Sequence, residues 1–238
     1  GFYYVSYSSS DFKNWTYHGP LFPEGSPIGF YFRPHVIYHP ATKKYVLWFL
    51  YSSMYGNRWA GPPDPRYHKP GAQKGIAVSG SPTGPFTIVD IGIPLSHARA
   101  GDHDLFLDDG GVAYIIYTSH TEDFRIYIDK LSPDYMESTM EHCAVDPDDI
   151  GNLYPTKYPG CEAPAMFKRN DLYYTLFGSR TDRGREGGGL RVYTSSKPLG
   201  PYSYRGNINR DGDGNVIIPS QQNTATPINT SSGTEFVW

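Results

Sequence analysis

Glu162 stands in the stretch YPGCEAPAMFKRNDLYYTLFGS, residues 158–179, as a lone carboxylate between a cysteine and an Ala-Pro pair. A short apolar hairpin follows it at once. A charge at the threshold of a buried strand is either an edge cap or the lining of a cavity. Asp102 holds the same place before another hairpin, in GDHDLFLDDGG at 101–111, and Gln221 and Gln222 precede a further one. Paired carboxylates brought to one point suit glycosidic-bond hydrolysis: one carboxyl is kept protonated as general acid, and a second negative group orients and tunes it. Glu162, with its apolar flank of Ala163, Pro164 and Met166, fits the acid, and Asp102 fits the neighbour. Asp104 alternates with Asp102 and is the other candidate for the inward position, while His103 between them reads as a hydrogen-bonded neighbour. Asp108 and Asp109 read as turn residues. No HExxH-type spacing occurs, so no metal site and no cofactor are expected.

These residues need elements to aim them, and the chain repeats the same element. A short apolar strand, a polar turn and a strand dense in Tyr and aliphatics recur at 33–53, 104–119 and 163–179, and the pattern begins again at 226–238. The turns HPATKK, DDGG, KRND and NTSSG carry hairpin chemistry. The second strands are nearly continuous apolar runs, as expected of strands buried on both faces. A second pattern, strand then Ser/Pro/Gly turn then aromatic-bearing strand, occupies 75–90 and 190–206, with a looser copy at 2–19. Its Pro-Phe and Pro-Tyr positions suit an outer strand. Together the two patterns form a four-stranded unit recurring roughly every 60 residues, the scale of a propeller blade. The expected fold is therefore all-β, a five-bladed β-propeller forming a single catalytic domain over 1–238. Blades fall at 33–90, 103–145 and 162–206, with half-blades at 1–19 and 226–238. The start at GFYYVSYSSS and the stop at GTEFVW point to a propeller incomplete at both ends. A β-sandwich, the competing architecture, needs no signature at this period.

Composition agrees with many short strands: of 238 residues, 38% are hydrophobic and 16% aromatic, with 26 Gly and 21 Pro. A net charge of −3 speaks against a nucleic-acid partner. No apolar run reaches membrane-span length. The two cysteines, Cys143 and Cys161, leave a disulfide and two free thiols equally open. Sequons at Asn14 and Asn229 favour an extracellular, secreted protein. GREGGGL at 184–190 lacks the helix of a phosphate cradle, DGDGN at 211–215 misplaces the glycine of a calcium loop, and DPDDIGNLY offers one short turn at most. The expected partner is an oligo- or polysaccharide, met by a monomer.

In RPHVIYHPATKKYVLW, SPTGPF, GDHDLFLDDGGVAYIIYTS, YIDKLSPDY, CEAPAMFKRNDLYY and PSQQNTATPI, taken in this order, the chain resembles glycoside hydrolase family 43. The resemblance runs along nearly the whole chain and lies nearest the exo-β-1,3-galactanase subgroup. It implies a five-bladed propeller with an inverting mechanism. It implies that Glu162 is the general acid, that Asp102 tunes and orients it, and that Gln221 positions the attacking water. Most of the family uses an aspartate base in the first blade, which the subgroup lacks. Sugar contacts are implied for Phe32, Arg33, His103, Asp104 and Trp59. Phe32 departs from the subgroup, which carries Glu directly before this Arg-Pro; a hydroxyl-binding carboxylate has become an aromatic platform, and such losses shift sugar preference. His103 and Asp104 also depart from the pattern. Tyr31, Phe32 and Trp59 are candidates for stacking on sugars, with ordinary packing the plainer reading of Tyr31. Two functions follow: an exo-acting inverting glycosidase for β-linked galactose, or for arabinofuranose or xylose, and a non-catalytic carbohydrate-binding propeller derived from one. Keeping Glu162 and Asp102 together favours the enzyme.

Overall fold

The computed structural model describes residues 4–55, 58–59, 71–121, 124–145, 161–179, 189–218 and 224–237. Among the described residues every regular element is a strand. The chain divides into two compact units, residues 1–94 with 133–137, and residues 95–132 with 138–238.

In the first unit β1 (Val5–Ser8) pairs antiparallel with β2 (Thr16–Pro20). β3 (Phe30–His39), β4 (Lys44–Ser52), β7 (Gln73–Ser79) and β8 (Thr87–Ile91) form a four-stranded antiparallel sheet in chain order. A small hairpin, β5 (Met54–Tyr55) with β6 (Arg58–Trp59), interrupts it between β4 and β7. Trp48, fully buried on β4, donates its indole N–H to the Tyr135 carbonyl at 2.8 Å. Leu47, Phe49, Tyr51, Ala77 and Phe86 form the core with Leu21 and Tyr31. Tyr31 is a core residue, as its plainer reading held; its hydroxyl donates to the Pro27 carbonyl.

The second unit repeats the plan. β9 (Ala100–Leu107), β10 (Ala113–Ser119), β11 (Arg125–Leu131) and β12 (Ser138–Ala144) form one four-stranded sheet. A second contains β13 (Cys161–Arg169), β14 (Leu172–Ser179), β15 (Arg191–Ser195) and β16 (Ser203–Asn207). β17 (Thr226–Thr230) pairs with β18 (Gly233–Val237). Tyr114, Ile116, Ile126 and Ile128 of one sheet pack against Met166, Tyr173, Phe177 and Tyr193 of the other. The opposite face of the β13–β16 sheet buries Ala165, Leu176 and Val192 with Ala225, and Phe167 meets Phe236 of β18 at 4.4 Å. Burial on both faces is why β14 reads as a nearly continuous apolar run, broken by the buried Thr175.

The repeated hairpins of the sequence fall on β3–β4, β9–β10, β13–β14 and β17–β18, and the second pattern falls on β7–β8, β15–β16 and β1–β2. The turn chemistry is also as read. Asn170 and Asp171 take positive φ in the two-residue loop between paired Arg169 and Leu172, the conformation that this kind of hairpin needs. The prolines of GPF and GPY lead into the outermost strands of their sheets, as read. Pro85 and Pro201 precede β8 and β16, and the aromatics after them, Phe86 and Tyr202, are buried in the cores. Both cysteines are free, and burial first, with Asp129 second, pushes the Cys143 thiol up to about 12. Asn14 and Asn229 are both exposed. DGDGN is the plain turn expected: Asp211 accepts from the amides of Asp213 and Asn215 at 3.0 and 2.8 Å. DPDDIGNLY and all but the last two residues of GREGGGL lie outside the described residues.

Asp108 and Asp109 are turn residues that also clasp the next sheet. Lys168 reaches Asp108 at 3.3 Å and Asp109 at 2.8 Å, and the Tyr173 hydroxyl donates to Asp108 at 2.7 Å. Burial opposes ionisation of Asp108, but the bonds from Tyr173, the Asp109 amide and Lys168 outweigh it and hold its pKa below the ordinary 3.8. A depressed carboxyl stabilises the fold above its unfolded pKa, and that contribution is lost as pH falls through the folded value. Urea unfolding of wild type and Asp108→Asn should therefore differ most near neutral pH, with the gap narrowing steadily below 3.8.

Candidate active site

A bulge opens the first strand of each four-stranded sheet. On β13, Glu162 pairs with Gly178 and Ala165 with Leu176, so Ala163 and Pro164 together oppose Phe177. On β3, Phe32 pairs with Leu50 and His35 with Trp48, so Arg33 and Pro34 oppose Phe49. On β9, Ala100 pairs with Ser119 and His103 with Tyr117, so Gly101 and Asp102 oppose Thr118. The extra residue bends a strand and re-aims its side chains, which is why bulges gather beside active sites. Arg33 and Ala163 take φ of 54° and 53°, left-handed values each placed directly before a proline. Such conformations cost about 1–2 kcal/mol each in an L-residue, and their recurrence at one place marks a constrained site.

The ladders refine the register. Phe32 and Glu162 occupy equivalent positions just before their bulges, where β9 carries Ala100. Asp102 stands two residues further, inside its bulge, at the position of Pro34 and Pro164. The carboxylates are thus offset along their strands. Phe32 holds the place in its own sheet that Glu162 holds in another.

Glu162 is 6% exposed, between Cys161 and Ala163, which are both fully buried. Asp102 is half-buried. Two residues on, Asp104 is 2% exposed, and its carboxylate joins three chain segments. Its oxygens accept from the adjacent Leu105 amide at 2.8 Å and from the Met166 amide of β13 at 3.3 Å. The Thr224 hydroxyl, just ahead of β17, lies 3.3 and 3.2 Å from the two oxygens. β9 and β13 are edge strands of their sheets, so a ladder leaves the outward N–H of Met166 without a strand partner. The buried carboxylate supplies the acceptor. Of the two candidates for the inward position, Asp104 therefore fastens strands, and Asp102 is the more exposed. His103, 1% exposed, is packed inside the sheet. Phe32 and Arg33 are half-buried in the first unit. Trp59 pairs with Met54 in β6. Gln221 lies outside the described residues; Thr224, three positions on, is the nearest described residue after it.

His120 went unnoticed in the sequence. It follows β10 and packs its ring on Gly101, the residue before Asp102: a Cβ at 101 would lie 2.1 Å from its Nε2. The signal was a glycine in GDHD where every other bulge has a side chain. The first unit holds a cavity of about 780 Å³ lined by Val5, Tyr17, Phe22, Ile28, Tyr31 and others, with Glu24 its one carboxylate. None of the residues singled out for catalysis lines it. Among the described residues no group of three or more His, Cys, Asp or Glu is placed to hold a metal ion.

Comparison with known proteins identifies the family. The sequence model of "Glycosyl hydrolases family 43" matches residues 3–227. No curated protein sequence matches. Among solved structures, a family 43 β-1,3-galactosidase is 25% identical with a TM-score of 0.71, covering 94% of this chain and 44% of its own. An exo-β-1,3-galactanase of Clostridium thermocellum is 22% identical with a TM-score of 0.73, covering 98% of this chain and 47% of its own. A protein of Bacteroides thetaiotaomicron described as an endo-1,4-β-xylanase is 22% identical with a TM-score of 0.68, covering all of this chain and 77% of its own. The chain thus spans less than half the length of the first two.

Replacing Asp104 by Ala would strand the Met166 amide and the Thr224 hydroxyl. Denaturant unfolding should show a loss of about 3 kcal/mol, with Asp104→Asn falling between the two, since one acceptor oxygen remains.

Proposed function

The chain belongs to glycosyl hydrolase family 43, a family of β-propeller glycosidases, and from that premise we propose that it is an exo-acting, inverting hydrolase of β-linked galactose in a β-1,3-galactan-like polysaccharide. The observation that carries the proposal is the match across residues 3–227 together with a buried carboxyl, Glu162, at the bulge that opens β13. The four-stranded sheets, each in chain order, are what successive blades of a propeller would be. We take the whole to be one catalytic domain of five blades, working as a monomer on an extracellular polysaccharide.

In this reading Glu162 donates its proton to the glycosidic oxygen as the bond from that oxygen to the anomeric carbon breaks. Water attacks the anomeric carbon from the opposite face and inverts it. Gln221 positions that water. Asp102 orients Glu162. The burial of Glu162 between Cys161 and Ala163 limits the water that would compete for its proton. Asp104 supports the arrangement by fixing β9 to β13.

One observation favours a different sugar. Phe32 occupies the position in its sheet that Glu162 has in another, where the galactanase pattern carries a hydroxyl-binding Glu. The xylanase-described neighbour covers all of this chain. On this second reading the chemistry stays and the preference moves toward xylose or arabinofuranose chains.

Glu162→Gln should lower kcat/KM on an aryl β-galactoside by about 10²–10⁴-fold, while calorimetric binding of galactose stays within a few-fold of wild type. Binding without hydrolysis in the wild type would instead indicate a carbohydrate-binding propeller. Phe32→Glu should raise the ratio of galactoside to xyloside turnover by about 10-fold or more, read from kcat/KM on the two aryl glycosides. An unchanged ratio would remove Phe32 from the sugar site.

A further inference from the structure

We infer that His120 is a positioning residue of the Asp102–Glu162 site, an inference that rests on the hydrolase reading above. The backbone around it is fastened. Its amide donates to the Arg99 carbonyl at 3.2 Å. The hydroxyls of Ser119 and Thr121 on either side both donate to the Ala98 carbonyl, at 3.2 and 3.1 Å. So held, the half-buried imidazole fills the space where residue 101 would carry a side chain. A Cβ there would stand 2.1 Å from Nε2, 2.7 Å from Cε1 and 2.9 Å from Cδ2. Only glycine admits the ring.

Gly101 is the first residue of the β9 bulge and directly precedes Asp102. The ring also meets Phe124, with centroids 4.7 Å apart. The Phe124 carbonyl in turn accepts from the Cys161 amide at 3.0 Å, the residue directly before Glu162. A continuous path of contacts therefore runs from the residue before one proposed catalytic carboxylate to the residue before the other, and His120 is its middle link. The other bulges hold their shape with a proline, Pro34 or Pro164. The β9 bulge has Asp102 at that position, preceded by Gly101, the residue type with the most backbone freedom. His120 packs against it from outside, on the side where residue 101 carries no Cβ. Without the imidazole the bulge relaxes and the aim of Asp102 changes. A misplacement of about 1 Å can cost about 100-fold in rate.

The test uses the full chain and 4-nitrophenyl β-D-galactoside, with kcat, KM and thermal midpoint recorded for each variant. His120→Ala and Gly101→Ala should each lower kcat by about 100-fold, with KM changed by no more than about 3-fold. The double variant should be no worse than His120→Ala alone, because the new methyl group has room once the ring is gone. His120→Phe keeps the ring volume and should recover most of the lost kcat. Full activity in His120→Ala, or losses that simply add in the double variant, would overturn the inference. Should His120→Ala fail to fold, His120→Phe set against Gly101→Ala makes the same comparison. A wild type that cleaves no glycoside overturns the hydrolase reading and this inference with it. An active wild type, silenced by Glu162→Gln but not by the changes at 101 and 120, overturns this inference alone.

Discussion

The buried carboxylate of Asp104 is the constraint on which the second unit depends. β9 and β13 each begin a sheet, so each has one side with no strand to pair with. Burying such an edge demands an acceptor for its outward amides, and Asp104 provides one for Met166 while also taking the Thr224 hydroxyl. A carboxylate in the interior is stable only when its lone pairs are filled, and these donors fill them. The same link sets the spacing of the proposed chemistry. Asp102 lies two residues before Asp104, and Glu162 four before Met166. Fixing one pair of atoms fixes the separation at which the two strand thresholds stand.

From that link outward, each first strand meets the same problem and solves it with different residues. A bulge turns the strand threshold away from the regular ladder, and the cost is carried in the backbone. β3 and β13 carry it as a left-handed residue before a proline, at Arg33 and Ala163. β9 uses Gly101 and Asp102, trading the stiffness of proline for a carboxylate, with a histidine ring packed on the glycine. The shared two-against-one pairing lets one architecture present an aromatic beside one bulge and a carboxyl beside another. The side chain beside the bulge can then vary without disturbing the sheets.

Much of this was legible in the residues. The hairpins and their turns were readable because turn chemistry is local: Asn170-Asp171 and Asp108 to Gly111 name their own conformations. The sheets followed from the apolar runs, since a strand such as β14, buried on both faces, has few polar positions, with Thr175 in its middle. Three things were not legible. The register offset between Asp102 and Glu162 was hidden because a bulge adds a residue without altering composition. The clasp of Lys168 on Asp108 and Asp109, and the grip of Asp104 on Met166, join residues some 60 positions apart, and nothing local marks such partners. Phe86 and Tyr202 looked like outer-strand residues because the prolines before them suggested an edge, yet both rings fill cores.

The most direct measurement is a crystal structure of the full chain with a bound, uncleaved β-1,3-linked galactose oligosaccharide, held intact by Glu162→Gln. The account predicts the side chain at position 162 within about 2.6–3.2 Å of the glycosidic oxygen, with Asp102 beside it. A water should sit on the far face of the sugar, its positioning group roughly 6.5–9.5 Å from residue 162. A sugar seated elsewhere, or residues 102 and 162 opening onto separate surfaces, would contradict it.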